Sequence, residues 1–320
     1  MKVSVVIPCY NEQEVLPELF RRLGAAAETW AYDWDVICVD DGSRDQTWPM
    51  LVAQQTRDPR WGALSLARNF GHQTAVSVGI YHADGDAVIV MDADLQDPPE
   101  ELARFIQKWR EGFEVVYAIR EKRKEGWLKK FCYWLFYRLL ARVTPFEIPL
   151  DSGDFCIMDR KVVAVLKRMP ERSRFVRGLR AWAGFRQAGL AYERHARVAG
   201  AAKYDFRKLL TLALDGIFSF STMPLTLVAQ VGMWISGLSF LGIIWVLATK
   251  LFSGVFSRHG FPPVQGFTTI VICILFLGGI QMMSLGIIGE YIGRIYDEVK
   301  RRPPWVIQKS AGITPQTPEP

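Results

Sequence analysis

No two of the five cysteines in this 320-residue chain form a C-x-x-C pair. Cys9, Cys38, Cys132, Cys156 and Cys273 sit mostly in apolar runs, which excludes a zinc ribbon or a disulfide scaffold and fits reduced thiols of a cytosolic domain. Equally missing are a G-x-G-x-x-G fingerprint, a P-loop and an H-E-x-x-H helix. A G-x-S-x-G elbow is absent as well, so dinucleotide, Walker-type, zincin and serine-hydrolase chemistries have no foothold. The opening MKVSVVIPCYNE has too short an apolar run for a secretory signal. Neither an internal repeat nor a low-complexity segment occurs.

Charge is missing in two places. Residues 216–249 and 266–289 contain no Asp, Glu, Lys or Arg, and about 20 apolar residues suffice to cross a bilayer as a helix. With Pro224 as a break, the expected arrangement is an interfacial helix over 205–221, a membrane helix over 224–249 and a second over 266–289. Lys203, Arg207 and Lys208 precede the first span, and Arg294, Lys300, Arg301 and Arg302 follow the second, whereas the connecting loop has only Lys250 and Arg258. The positive-inside tendency then puts both ends in the cytoplasm, with residues 290–320 as a cytoplasmic tail whose last dozen residues are loose. The net charge of +6 gives no reason to expect nucleic acid, because much of the basic excess flanks these membrane-proximal segments, where anionic headgroups attract it. Small residues at Gly289/Gly293 and Gly232/Ser236 would let helices approach, which permits a homo-oligomer.

The first two hundred residues, a domain over 1–204, alternate between short β-branched runs and helical periodicity. Strands are expected over 3–7, 35–39, 63–66, 87–91 and 114–118, with helices over 12–29, 45–55, 74–82 and 100–109. Such alternation argues for an α/β fold with a mostly parallel sheet covered by helices. Four polar clusters follow strands: Pro8-Cys9-Tyr10-Asn11-Glu12, Asp40-Asp41-Gly42-Ser43, Asn69-Phe70-Gly71 and Asp92-Ala93-Asp94. In a parallel sheet they share one rim, where ligands of such folds bind. Residues 125–143 differ. They carry Leu128, Phe131, Leu135, Leu139 and Val143 at helical spacing, with Lys129, Lys130, Arg138 and Arg142 between them. That pattern describes a basic amphipathic helix lying at a membrane surface, or one packed on the sheet.

The stretch VIVMDADLQDPPE holds the densest chemistry. Its carboxylates can cap a helix, act as an acid/base pair or ligate a hard cation. Asp92 and Asp94 can approach one ion, with the Gln96 amide nearby. Asp97, before Pro98 and Pro99, suits an N-cap.

VSVVIPCYNE, VDDGSRD, ARNFGHQTA and MDADLQDPPE, in this order, resemble the family 2 glycosyltransferases of GT-A fold. SGDFCIMDRKV and FVRGLRAWAGFRQAGLAYERHARVAGAAKY, followed by two spans, resemble the polyprenyl-phosphate branch, which includes dolichol-phosphate mannose synthase and bactoprenol glucosyltransferases. The resemblance implies an inverting, Mg²⁺- or Mn²⁺-dependent transfer from a nucleotide-sugar to a polyprenyl phosphate at the cytoplasmic membrane face. UDP-glucose is the preferred donor; GDP-mannose, UDP-N-acetylhexosamine and aminoarabinose donors are alternatives. A processive polysaccharide synthase and a non-catalytic scaffold are the competing readings.

By the same resemblance, Asp94 and Gln96 would ligate the metal with Asp92 beside them. Pro8, Tyr10, Glu12 and Asp40 would hold base and ribose, while Asp41 would either join them or brace the Gly42 turn. Asp154 and Arg177 join Asp94 as candidate catalytic residues, Asp154 positioning sugar or acceptor rather than abstracting a proton. Arg120, Arg123, Arg180, Arg197 and Lys203 are candidates for the acceptor phosphate. Two departures stand out. The family pattern carries Arg after Gly-Asp-Phe, where this chain has Cys156, and often Ser or Thr before Lys-Tyr, where it has Ala202.

Overall fold

A computed structural model describes residues 1–121, 152–169, 171, 174–193, 223–251 and 267–316. The expected amphipathic helix over 125–143, the interfacial helix over 205–221, and Arg123, Arg197, Ala202 and Lys203 lie outside the described residues. Two units emerge: residues 1–193 together with 301–316, and the helices of 223–299.

The first unit is built on an eight-stranded sheet. In chain order come β1 (Lys2–Cys9), α1 (Leu16–Ala27), β2 (Asp33–Asp40), α2 (Thr47–Arg57), β3 (Trp61–Leu66), α3 (His72–His82) and β4 (Ala87–Val90). A 3₁₀ turn (Pro99–Glu101) leads into α4 (Leu102–Arg110). Then follow β5 (Val115–Glu121), β6 (Ser152–Asp159), α5 (Arg160–Arg168), α6 (Val176–Trp182), β7 (Gln187–Glu193) and, after the second unit, β8 (Ile307–Ala311). Their order across the sheet is β7-β5-β6-β4-β1-β2-β3-β8. The first nine elements follow the periodicity of the sequence closely. β1 is buried from Val3 to Cys9, the continuous apolar run expected of a strand covered on both faces. α1 buries Leu16, Leu19, Leu23 and Ala27 along one stripe and begins with proline in its first turn.

Parallel pairs join β1 to β2 and β4, β2 to β3, and β5 to β7. β6 is the exception that matters, since it runs antiparallel between β4 and β5. Its N-terminal end therefore lies on the edge where the parallel strands have their carboxyl ends.

Two expectations need correction. Asp97 does not cap a helix: the cap position is Pro98 without a side-chain cap, and Asp97 Oδ1 accepts a hydrogen bond from the buried Tyr192 hydroxyl. Proline at the cap leaves the preceding carboxylate pointing into the core, where Tyr192 meets it. Of the last dozen residues, the described 309–316 are not a loose tail either. β8 pairs antiparallel with β3, Trp305 is 0 % exposed against the Tyr81 ring, and the Gln316 amide donates to His82 Nε2.

In the second unit, α7 (Met223–Leu251) and α8 (Phe267–Val299) are 29 and 33 residues long and contact each other. Met233, Trp234, Leu238, Phe240, Met282 and Met283 are exposed on them. Searched over described residues alone, no helix is long and apolar enough to cross a membrane; several α7 and α8 side chains fall outside that set.

Close approach of α3 to β1 depends on Gly79. A Cβ there would stand 2.1 Å from Val6 Cγ1, whereas one on Gly24 in α1 meets nothing within 4 Å. Gly79→Ala is expected to destabilise the fold by about 1–3 kcal/mol through overpacking, and Gly24→Ala to stabilise it by up to about 1 kcal/mol. Denaturant unfolding of the two variants checks this; equal effects would contradict the close packing.

Candidate active site

The pairing of β1 with β4 stops at Val6 and Val90, but β1 continues alongside β2 to Cys9 and Asp40. Strand order reverses direction at this point, so a crevice opens at the carboxyl ends of β1 and β4. All four sequence-predicted polar clusters lie along this edge.

The side formed by β1 and β2 is a laced pair of loops. Pro8 lies beyond the β4 ladder, so its missing N–H costs no bond on that side. The Asn11 amide donates to Ser43 Oγ (2.9 Å), Asn11 Oδ1 accepts from the Arg44 amide (2.9 Å), and the Glu12 amide donates to Thr47 Oγ1 (2.9 Å). Tyr10 and Glu12 are half-buried at the rim. Buried Asp40 accepts from the Ser43 amide (3.0 Å) and the Ser65 hydroxyl (2.8 Å). Asp41 accepts from the Phe70 and Gly71 amides at 2.7 and 2.9 Å. That is a bracing role, and it acts on the loop before α3 rather than on the Gly42 turn. Burial raises the Asp41 pKa despite those two bonds.

On the β4 side the chain turns sharply at Leu95, buried with φ of 55°. The turn brings the Gln96 amide onto Asp94 Oδ1 at 3.1 Å. Asp92 Oδ1 is buried with no hydrogen-bond partner, its nearest cation being His72 Nε2 at 3.7 Å. Burial pushes the Asp92 carboxyl up to about 6. An orphaned carboxylate oxygen beside a second carboxylate is a fit for a hard cation. Among the described residues no three His, Cys, Asp or Glu side chains form a complete cage. Mg²⁺-type sites on nucleotides need none, because one or two carboxylates suffice and phosphate oxygens and water supply the rest.

Asp92 adjoins a second charged group through His72. The β4–β6 register pairs Val90 with Cys156; continued by two residues, it sets Asp154 opposite Asp92. Gln73 Nε2 donates to Asp154 Oδ2 at 3.0 Å, His72 Nε2 stands 3.4 Å from the same oxygen, and Arg177 donates to Oδ1 from Nε and Nη2 at 3.3 Å each. Gln73 Oε1 accepts from the Val176 amide at 3.0 Å, tying α6 to the start of α3. Burial opposes ionisation of Asp154, but Arg177, His72 and Arg180 outweigh it and hold the carboxyl well below the usual range. Burial likewise opposes a charge on His72, yet Asp154 and Asp92 raise the imidazole to about 9. A carboxylate held this firmly ionised is a poor proton acceptor, so Asp154 is suited to orienting its neighbours rather than to acting as a base.

The structure thus brings Asp92, Asp94, Gln96, Asp154 and Arg177 to one rim with Pro8, Tyr10, Glu12 and Asp40. Arg120 is the penultimate residue of β5, toward the same edge, while Arg180 is buried in α6 at 1 % exposure. His72 and Gln73 were missed by sequence reasoning. Their signal was positional: a histidine following the glycine of the third rim cluster starts α3 at the mouth of the crevice.

The chain is similar to known proteins along nearly its whole length. The description of glycosyl transferase family 2 matches residues 4–166. The uncharacterized glycosyltransferase YkcC of Bacillus subtilis (strain 168) is 44% identical across 98% of this chain and 95% of its own. Bactoprenol glucosyl transferase of Shigella phage SfII is 40% identical across 97% of this chain and 98% of its own. Among solved structures, glucosyl-3-phosphoglycerate synthase from Mycobacterium tuberculosis, in complex with Mn²⁺, UDP-glucose and phosphoglyceric acid, is similar with a TM-score of 0.47. That match has 17% identity and covers 68% of this chain and 77% of the other. The chain belongs to glycosyl transferase family 2, and the α/β fold with its mostly parallel sheet is the one its motifs implied.

Proposed function

We propose that the protein transfers glucose, with inversion, from UDP-glucose to a polyprenyl phosphate at the cytoplasmic face of a membrane. The observation that carries this reading is similarity along nearly the whole chain to bactoprenol glucosyl transferases, joined to a rim whose carboxylates suit a metal–diphosphate. Asp92 and Asp94 with Gln96 would hold Mg²⁺ or Mn²⁺, which neutralises the charge gathering on the departing diphosphate. Tyr10, Glu12 and Asp40, beyond Pro8 on the β1–β2 side, are placed for base and ribose.

The acceptor needs no base. A phosphate monoester has its second pKa near ~6 and arrives as an anion at neutral pH. One of its oxygens forms the new bond to the anomeric carbon as the bond from that carbon to UDP breaks on the opposite face. Two anions must meet, so the chain supplies cations: Arg177 and His72 at the Asp154 group, with Arg120, Arg123, Arg197 and Lys203 as further candidates for the lipid phosphate.

α7 and α8 serve as a membrane hairpin in this reading. Each exceeds the length needed to cross hydrocarbon, and 224–249 and 266–289 are free of charge. The chain leaves the catalytic unit before α7 and rejoins it at β8, which fits a hairpin of two crossings. The interfacial helices over 125–143 and 205–221 would hold the crevice against the headgroups.

The test offers purified full-length protein and undecaprenyl phosphate a panel of UDP- and GDP-sugars with Mg²⁺ or Mn²⁺. Transfer from UDP-glucose at least tenfold above the others is expected. Preference for another sugar would reject the donor, and sugar release with no lipid product would reject the acceptor.

A further inference from the structure

Arg180 is 1 % exposed, and its Nε and Nη2 are buried without a hydrogen-bond partner. A buried guanidinium with unpaired donors is strongly disfavoured unless something anionic completes it. Its Cζ lies 5.6 Å from the Tyr117 ring centroid, and its side chain reaches the thiol of Cys156. Tyr117 and Cys156 are themselves paired across β5 and β6.

Cys156 is two residues from Asp154 on β6, so the two side chains share a face. Phe155 and Ile157 point the other way into the apolar core. An arginine at position 156 would project toward the space that Arg180 now fills. Asp154 takes its hydrogen bonds from Gln73 and Arg177, which leaves the two Arg180 nitrogens uncommitted.

We propose that Arg180 supplies, from α6, a cation to the face shared by Asp154 and Cys156, and that its two unpaired nitrogens bind a phosphoryl oxygen of a substrate. This rests on the function proposed above. The oxygen belongs either to the donor diphosphate or to the acceptor monophosphate, two sources of one chemistry. Cysteine at 156 is then a consequence, since a small side chain makes room for the incoming guanidinium.

The experiment uses the full chain in detergent micelles with the variants Arg180→Met, Arg180→Lys, Cys156→Arg and Cys156→Arg/Arg180→Met. Dissociation constants for UDP and for undecaprenyl phosphate come from calorimetry, Michaelis constants from transfer, and melting temperatures report folding. Arg180→Met is expected to weaken one of the two phosphate ligands at least tenfold and leave the other within twofold. A weakened lipid assigns the oxygen to the acceptor, and weakened UDP assigns it to the donor. Arg180→Lys, with the charge but fewer donors, should fall between. Cys156→Arg alone should melt lower from overpacking, while the double variant should regain binding to within about threefold of the parent. That rescue is the result a merely structural arginine would not give. Unchanged binding of both ligands in Arg180→Met, or a folded double variant no better than Arg180→Met, overturns the proposal. Because calorimetry needs no turnover, loss of phosphate binding in Arg180→Met supports the assignment even if the parent transfers no glucose, an outcome that would instead reject the function.

Discussion

Asp94→Ala is expected to lower sugar transfer about a thousandfold while the protein stays folded. The estimate follows from what the carboxylate does. Its Oδ1 already accepts the Gln96 amide at 3.1 Å, which shapes the turn, and it lies near Asp92, whose Oδ1 has no hydrogen-bond partner, so a cation can be shared. Removing a preorganised electrostatic contact to developing charge typically costs ~10²–10³ in rate, and loss of a metal ligand belongs at the upper end. The folding cost is small by comparison, since the hydrogen bond lost is worth about 1 kcal/mol. Chelation should silence the parent protein, and added Mg²⁺ or Mn²⁺ should restore it but not Asp94→Ala. Asp97→Ala, three residues on, should behave in the opposite manner. Its carboxylate holds the Tyr192 hydroxyl, so its loss should cost about 1–3 kcal/mol of stability and little chemistry once folded. Near-parental transfer by Asp94→Ala would dismiss the metal assignment.

Trp305→Ala should lose about 3–5 kcal/mol of stability, the usual cost of truncating a large buried aromatic. Trp305 is 0 % exposed and meets Tyr81 edge-on, with ring centroids 5.7 Å apart. It anchors a clasp: the Ala67 amide donates to the Val306 carbonyl at 2.9 Å, β8 covers the open edge of β3, and Ile313 fills the space left by Gly62. β3 in turn presents Ser65 to Asp40, so loosening the clasp reaches the side of the crevice proposed to hold the nucleotide. UDP affinity should therefore fall together with stability. Trp305→Phe should cost less, because it keeps most of the ring and removes a buried indole N–H that has no partner. Unfolding measurements on both variants decide the matter; a loss below about 1 kcal/mol in Trp305→Ala would contradict a buried clasp.

Much of this was legible in the sequence because local pattern and fold agree. The strands and helices up to β5 follow runs of period 2 or 3.6, and the rim clusters fall where parallel strands end. Asp92 and Asp94 owe their place to a single short strand, β4, and needed no long-range information. Asp154 did. Its position depends on β6 running antiparallel, and direction is set by pairing with β4 and β5, more than thirty residues away in sequence from the end of β5. His72 stayed hidden for a related reason, since its partners Asp92 and Asp154 come from two other elements. β8 had no signal of its own: Ile-Gln-Lys-Ser-Ala is polar, as suits an edge strand, and it is stabilised by a tryptophan outside it.

One measurement bears most directly on the central claim, that the Asp92/Asp94 rim passes a sugar to a phosphate anion. Mass spectrometry and NMR of the lipid recovered after reaction with UDP-glucose and undecaprenyl phosphate should show one added hexose, joined through a phosphodiester with the β configuration that inversion requires. Unmodified lipid alongside free glucose, an α-linked product or a chain of several sugars would contradict it.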